Sequence, residues 1–209
     1  MINKKIRYAL RDEILNIFAM TYGEIPTLKY KQIMICKKKK FSKDKLGPFL
    51  LDPKRSKATY IKSEIGKQYE QHIEHKIFGM KYIAFVEEQI EIKPSLALFK
   101  RLKEKGLFSL WEEEVPFKYF TGCEKGYLVL FRVYKIEQVT DETILEKGRS
   151  GRNYYYGLTK AIDYTNIVPV VDDKTYNIIK RQIKEIVYNC NVTEKENREI
   201  VYTEKRKWD

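Results

Sequence analysis

"GYLVLFRVYKIEQV", residues 126–139, decides how this chain must fold. Every residue from Tyr127 to Phe131 is apolar or aromatic, and Val133 and Ile136 extend the pattern. Residues of this kind favour an extended chain, and a strand apolar on both faces belongs in the middle of a sheet. Upstream, "MKYIAFVEEQIEIK" (80–93) alternates in the same way and reads as two strands or one long bent strand. Between the two, "SLALFKRLKEKG" (95–106) has helical spacing and a stop at Gly106, and "LFSLWEEEVPFKYF" (107–120) mixes loop and strand signals. Downstream, "NYYYGLTKAI" (153–162) and "IVPVV" (167–171) are shorter strand candidates. "DDKTYNIIKRQIKEIVYN" (172–189) closes the region as a helix capped by Asp172 or Asp173, with Ile178, Ile179, Ile183, Ile186 and Val187 inward. The expected fold class is α+β: a small, partly closed barrel over residues 80–190 with helices around it. A charged tail follows over 191–209.

The first 79 residues read as a basic helical region. Ile6, Leu10, Ile14, Ile17 and Phe18 recur at steps of three and four, which predicts a helix over 4–20. Gly23 and Pro26 break it, and "LKYKQIMI" (28–35) resumes an apolar rhythm, so a helix-turn-helix over 4–35 is one expectation. "LGPFLLDPKRSK" (46–57), with Pro48 and Pro53, reads as a turn-rich connection, and "SEIGKQYEQHIEHKIF" (63–78) as a helix.

At 209 residues, 43% of them hydrophobic, the chain can bury a core without disulfide or metal support. Cys36, Cys123 and Cys190 lie far apart with no CxxC pair, and the two histidines, His72 and His75, have no third ligand at suitable spacing. No metal or other cofactor is expected. The free thiols and the absence of a leader-like segment predict a cytoplasmic protein. No apolar run approaches the ~18 residues of a membrane span, so no membrane partner is expected. Neither GxGxxG nor GxxxxGK[ST] occurs, which disfavours the common nucleotide-binding enzymes.

The charge points to a partner. Forty-one Lys and Arg against 29 Asp and Glu give +12, and such an excess suits a polyanion, because each cation that meets a phosphate releases a counterion. Lysine-rich usage can also follow from genomic composition. Two stretches localise the charge. Lys37, Lys38, Lys39 and Lys40 form an unbroken run, which is a solvated loop when alone and a phosphate clamp beside a nucleic acid. "GRSGRNYYYGLTKAID" (148–163) joins Arg149 and Arg152 to three tyrosines in a glycine-rich setting. In an extended chain Tyr154 and Tyr156 share one face, with Tyr155 on the other. The expectation is that Tyr154 and Tyr156 meet a base, that Arg149 and Arg152 follow the backbone, and that Trp111 covers a base face. Tyrosines in a strand are also ordinary core residues, and Trp111 is equally suited to a core or rim.

The element order from residue 80 resembles PUA-like domains of the EVE type. The resemblance lies in "KYIAFVEEQIEI", the crossover after it, "GYLVLFRVYKIEQV", the aromatic-Gly segment "NYYYGLTKAI", and "NIVPVVDDKTYNIIKRQI". It covers about half the chain, and the family's N-terminal tryptophan-bearing segment is absent from the first 79 residues. It implies a barrel that binds nucleic acid, DNA favoured over RNA, and accommodates a modified or flipped base. A restriction or defence setting follows from the resemblance alone, with a partner nuclease or a homo-oligomer as further partners.

Two rival classes remain. "IEIK" (90–93) places Glu91 and Lys93 two apart on a strand, the spacing of the ExK element in metal-dependent PD-(D/E)xK nucleases. Gly66 and Glu70 are similar to the first helix of those enzymes. Mg would then be the cofactor, with Glu70, Glu91 and Lys93 catalytic. The second carboxylate these enzymes require has only Glu87 and Glu88 as candidates. The other rival is a non-enzymatic assembly protein whose basic surface is incidental.

Overall fold

A computed structural model describes residues 5–21, 28–54, 82–108, 119–136 and 155–205. Within them the order is β1 (Lys5–Glu13), α1 (Ile14–Thr21), β2 (Met34–Lys37), β3 (Phe49–Lys54), β4 (Tyr82–Ile92), α2 (Leu96–Glu104), β5 (Gly126–Lys135), β6 (Tyr155–Asp163), β7 (Val168–Pro169) and α3 (Asp173–Lys205). The architecture is α+β, as the residue pattern predicts. One mixed sheet runs β2-β5-β4-β3-β1-β6, with β7 also paired to β5. The hydrogen-bonded path is open: β6 does not pair with β7.

The central placement of residues 126–135 is correct. β5 is paired to β4 along its whole length, from Tyr82↔Lys135 to Ile92↔Gly126, while β2 and β7 share its other edge. Leu128, Val129, Leu130 and Phe131 are fully buried. Residues 82–92 form one bent strand with a bulge between Val86 and Glu88. Ser95 caps α2 by accepting from the Leu98 N–H at 3.2 Å. The helix ends at Glu104, and beyond its cap Lys105 the chain turns at Gly106, whose φ of +64° lies in the left-handed region that glycine tolerates. A side chain there would also meet the Lys29 backbone nitrogen at 2.6 Å.

The N-terminal expectations are overturned. Residues 5–13 are a strand, and helix begins only at Ile14. The helix-like spacing arises because β1 slips register against β6 between Ile6 and Tyr8. Ile6 and Ala9 therefore enter one core and Leu10 the other, which imitates steps of three and four. Among the described residues of 4–35 there is no helix-turn-helix: 5–13 are a strand, 28–33 are irregular and 34–37 are strand β2. Gln32, Ile33, Met34 and Ile35 are all buried, a run suited to a strand covered on both sides. The connection expected over 46–57 holds strand β3, parallel to β1 and antiparallel to β4. Pro53 is tolerated because the pairing with β4 stops at Leu50, so its missing N–H interrupts no ladder on that side. Strands from before residue 79 thus share a sheet with those after it. The predicted helix at 63–78 lies outside the described residues.

Two cores fill the fold. The larger packs α1, α2 and α3 against the sheet, with Phe99, Phe131, Tyr176 and Ile183 among its fully buried members. The smaller gathers Ile6, Ala9, Leu50, Ile83, Ile136 and Tyr156. Asp172 caps α3, its carboxylate accepting from the Thr175 N–H at 2.9 Å. Ile179, Ile183, Ile186 and Val187 are buried as expected, and Ile178 is half-buried. The expected tail instead continues the helix to Lys205, free of Gly and Pro, for a total length of about 50 Å.

The bulge in β4 aims two consecutive carboxylates at α3. Glu88 pairs with Lys180 at 2.9 Å and Lys184 at 2.6 Å. Glu87 lies 3.6 Å from Lys180 and 3.9 Å from Arg132, whose guanidinium stacks on Tyr176. Burial pushes the Glu88 carboxyl up, but hydrogen bonds and charge from Lys184 and Lys180 outweigh it and hold the group below its ordinary 4.5. A depressed carboxyl contributes stability above its unfolded pKa and loses it as pH falls through the folded value. Chemical denaturation should therefore show the fold weaker at about pH 3 than at about pH 6. In Glu88→Gln that difference should shrink by about 1 kcal/mol or less, as befits a partly exposed pair.

Candidate functional site

The lysine run leaves β2 and enters a loop, residues 38–48, that crosses over β4 on its way to β3. A polar loop needs fixed points to hold a shape, and this one has several. The Phe41 ring packs on Phe49 and Phe131, with centroids 5.7 and 6.3 Å away. Its backbone is clamped by the Gln89 side chain: the Phe41 N–H donates to Oε1 at 2.6 Å, and Nε2 donates to the Phe41 carbonyl at 3.0 Å. The amide thus pairs with the loop as a neighbouring strand would. Farther on, the Val86 N–H donates to the Leu46 carbonyl at 2.8 Å. Gly47 then turns at φ +106° where a side chain would strike the Ala84 carbonyl oxygen at 2.7 Å.

With the loop so held, its lysines lie over tyrosines from other elements. Lys38 Nζ is 5.2 Å from the ring centre of Tyr119, Lys40 5.6 Å from Tyr127, and Lys45 5.1 Å from Tyr155. A cation over a ring face keeps its charge available, whereas one against a carboxylate is neutralised. The contrast with α3 is plain, because Lys180, Lys184 and Arg132 all face acids there. Asp44 lies beside Lys45 in the loop, and Glu91 accepts from the Tyr127 hydroxyl at 3.1 Å. The tyrosines differ in exposure. Tyr127 is buried, Tyr119 is exposed, and Tyr155 is half-buried with Tyr8 stacked on it at 4.9 Å and 22°.

The expected site residues are placed as follows. Lys38, Lys39 and Lys40 are exposed, but Lys37 is buried within β2 opposite Tyr127. Tyr156 does not face a ligand. It is 7% exposed, and its hydroxyl donates at 2.6 Å to Asp52, itself buried, with Arg11 Nε 3.7 Å from the same oxygen. Pairing of Ala9 with Tyr156 turns that ring into the smaller core, and the face directed toward the lysine loop belongs to Tyr155. Trp111, Arg149, Arg152, Tyr154 and Glu70 lie outside the described residues, as do His72 and His75. Glu91 and Lys93 are both exposed, but Glu91 is engaged by Tyr127 and by Lys125 at 3.5 Å. Glu87 and Glu88 turn to α3 instead of joining it, and no group of three His, Cys, Asp or Glu able to hold a metal occurs among the described residues. Tyr8, Tyr119 and Tyr127 were not legible as site residues, and their one signal was the tyrosine content, sixteen in all; Lys45 follows the lysine run closely enough to be read with it.

No protein-family model matches the chain, and no curated protein or solved structure is significantly similar to it.

Two substitutions separate scaffold from surface. Tyr156→Phe should cost about 1–3 kcal/mol in denaturant midpoints, because Asp52 loses a buried donor. Gln89→Ala should cost about 1–2 kcal/mol and speed amide exchange at Phe41. Gln89→Glu keeps an acceptor for the Phe41 N–H but sets a carboxylate oxygen against the Phe41 carbonyl, so it too should destabilise, by about 1–2 kcal/mol.

Proposed function

We propose that this protein binds nucleic acid, and that the loop over residues 38–45 is where it does so. The observation that carries the reading is the row of Lys38, Lys40 and Lys45, each set over a tyrosine. Lysines so placed meet phosphates, and of the rings beneath them exposed Tyr119 and half-buried Tyr155 are those within reach of bases, Tyr127 being part of the core. The +12 charge supports the same partner. The activity proposed is binding rather than catalysis.

The finer reading is a PUA-like barrel of EVE type that accommodates a modified or flipped base. Its support is the order of elements after residue 80, together with the way the sheet's path comes round. Only residues 164–167 separate β6 from β7, yet β6 pairs with β1 and β7 with β5. Side chains from β1, β3, β4, β6 and that turn, with Tyr134 of β5, meet in the smaller core. A restriction or defence setting rests on the resemblance alone.

Fluorescence anisotropy with matched single-stranded and duplex DNA and RNA, with and without methylated bases, tests the proposal. Affinity should fall steeply between two salt concentrations. In the triple variant Lys38→Ala, Lys40→Ala, Lys45→Ala the slope of log K against log salt should drop by about 2 to 3. Weak binding to every oligonucleotide, indifferent to salt, would sink the reading.

A further inference from the structure

Beside the lysine loop the sheet carries a flat aromatic step. Tyr8 of β1 is 42% exposed and stacks on Tyr155 of β6, so the two rings form a short column with one face toward solvent. Phe49 buttresses Tyr155 edge-on at 5.5 Å, which fixes the column from the core side. The residue directly across from Tyr8 in the β1–β6 ladder is Gly157. Directly opposed residues of an antiparallel pair share a face, so the neighbour that would ordinarily flank the Tyr8 ring has no side chain. A Cβ built at Gly157 would meet nothing within 4 Å. The outcome is an exposed ring with open space beside it, and the Lys45 ammonium lies over Tyr155, the ring on which Tyr8 stacks.

We infer that the ligand is an unpaired strand, one base of which stacks on Tyr8 in the space left by Gly157. This rests on the nucleic-acid reading and narrows it. In a duplex each base face is covered by its neighbours, and only groove edges and phosphates are offered outward. A ring lying open on a sheet is matched by a base whose face is free, as in single-stranded recognition. Lys45, over the Tyr155 ring on which Tyr8 stacks, would supply a cation for a phosphate of such a strand. Burial, with Tyr8 and Asp44 nearby, pushes the Tyr155 hydroxyl up to about 12. The Tyr155 hydroxyl is therefore uncharged at physiological pH and does not repel a polyanion. Tyr8 acts as the platform, and Gly157 sets the room above it.

The test uses the full chain with short fluorescein-labelled oligonucleotides of one mixed sequence, as single strands and as blunt duplexes, and a parallel single strand carrying 2-aminopurine. The single strand should bind about tenfold or more tighter than the duplex. The 2-aminopurine should be quenched on binding, because its emission falls when it stacks. Tyr8→Ala should weaken the single strand by about five- to hundredfold and abolish the quench, whereas Tyr8→Phe keeps both. Gly157→Val puts side-chain atoms into that space from a Cβ that meets nothing within 4 Å, and valine suits a strand, so the variant should fold yet lose the quench. Equal binding of single strand and duplex, with no quench in the unmodified protein, overturns this inference while leaving nucleic-acid binding intact. Binding of neither form overturns the broader reading as well.

Discussion

Two backbones, Tyr82–Ile92 and Gly126–Lys135, hydrogen-bond along their whole length, and every other strand is attached through one or the other. β5 offers its far edge to β2 and β7, and β4 offers its own to β3 and, through it, to β1 and β6. Antiparallel pairing of this length sets which side chains face which layer, since a slip of one residue would exchange every face. The lysine loop depends on that setting directly. Gln89 and Val86 of β4 hold it at Phe41 and Leu46, and Tyr127 of β5 lies beneath Lys40. The loop's geometry is thus inherited from the strands it crosses rather than from its own residues.

The two sides of the molecule handle charge differently. Toward α3, cations and carboxylates are matched, and the pairings hold a helix to the sheet. Toward the loop, lysines are placed over aromatic rings, which steady the side chains without neutralising them as a carboxylate would, although Asp44 lies beside Lys45. An evenly spread excess of twelve positive charges would give a weak and featureless field. Among the described residues, Lys38 and Lys40 are left over Tyr119 and Tyr127, and Lys45 over Tyr155 has Asp44 beside it.

How much of this was readable from the residues divides along physical lines. β4, β5, α2 and most of α3 carry unbroken periodicity and clear stops, so their type followed from pattern. The N-terminal strands did not. A register slip in β1 imitates helical spacing, β2 is a short run buried on both sides, and β3 is flanked or interrupted by proline. In each case tertiary pairing, absent from any local window, decides the outcome. The lysine run was visible as charge, but its ring partners were not, because Tyr119, Tyr127 and Tyr155 reach it only through the folded sheet. Tyr156 shows the limit most clearly. Alternation separates neighbouring tyrosines into two faces, but only the pairing with Ala9 says which face is core.

The bulge in β4 also bears on how this chain tolerates change. In an unbroken strand Glu87 and Glu88 would project to opposite sides, yet here both reach the cations of α3 and Arg132. The extra residue exists to make that double reach, and the ladder resumes beyond it with Glu88 opposite Leu130. What is constrained at this point is the number of residues more than their identity. Swapping a carboxylate alters the contacts of one side chain, whereas shortening the strand by one would leave the ladder regular and turn one of the two carboxylates away from α3. Length variation among descendants of this chain should accordingly collect in the connections and spare these eleven residues of β4.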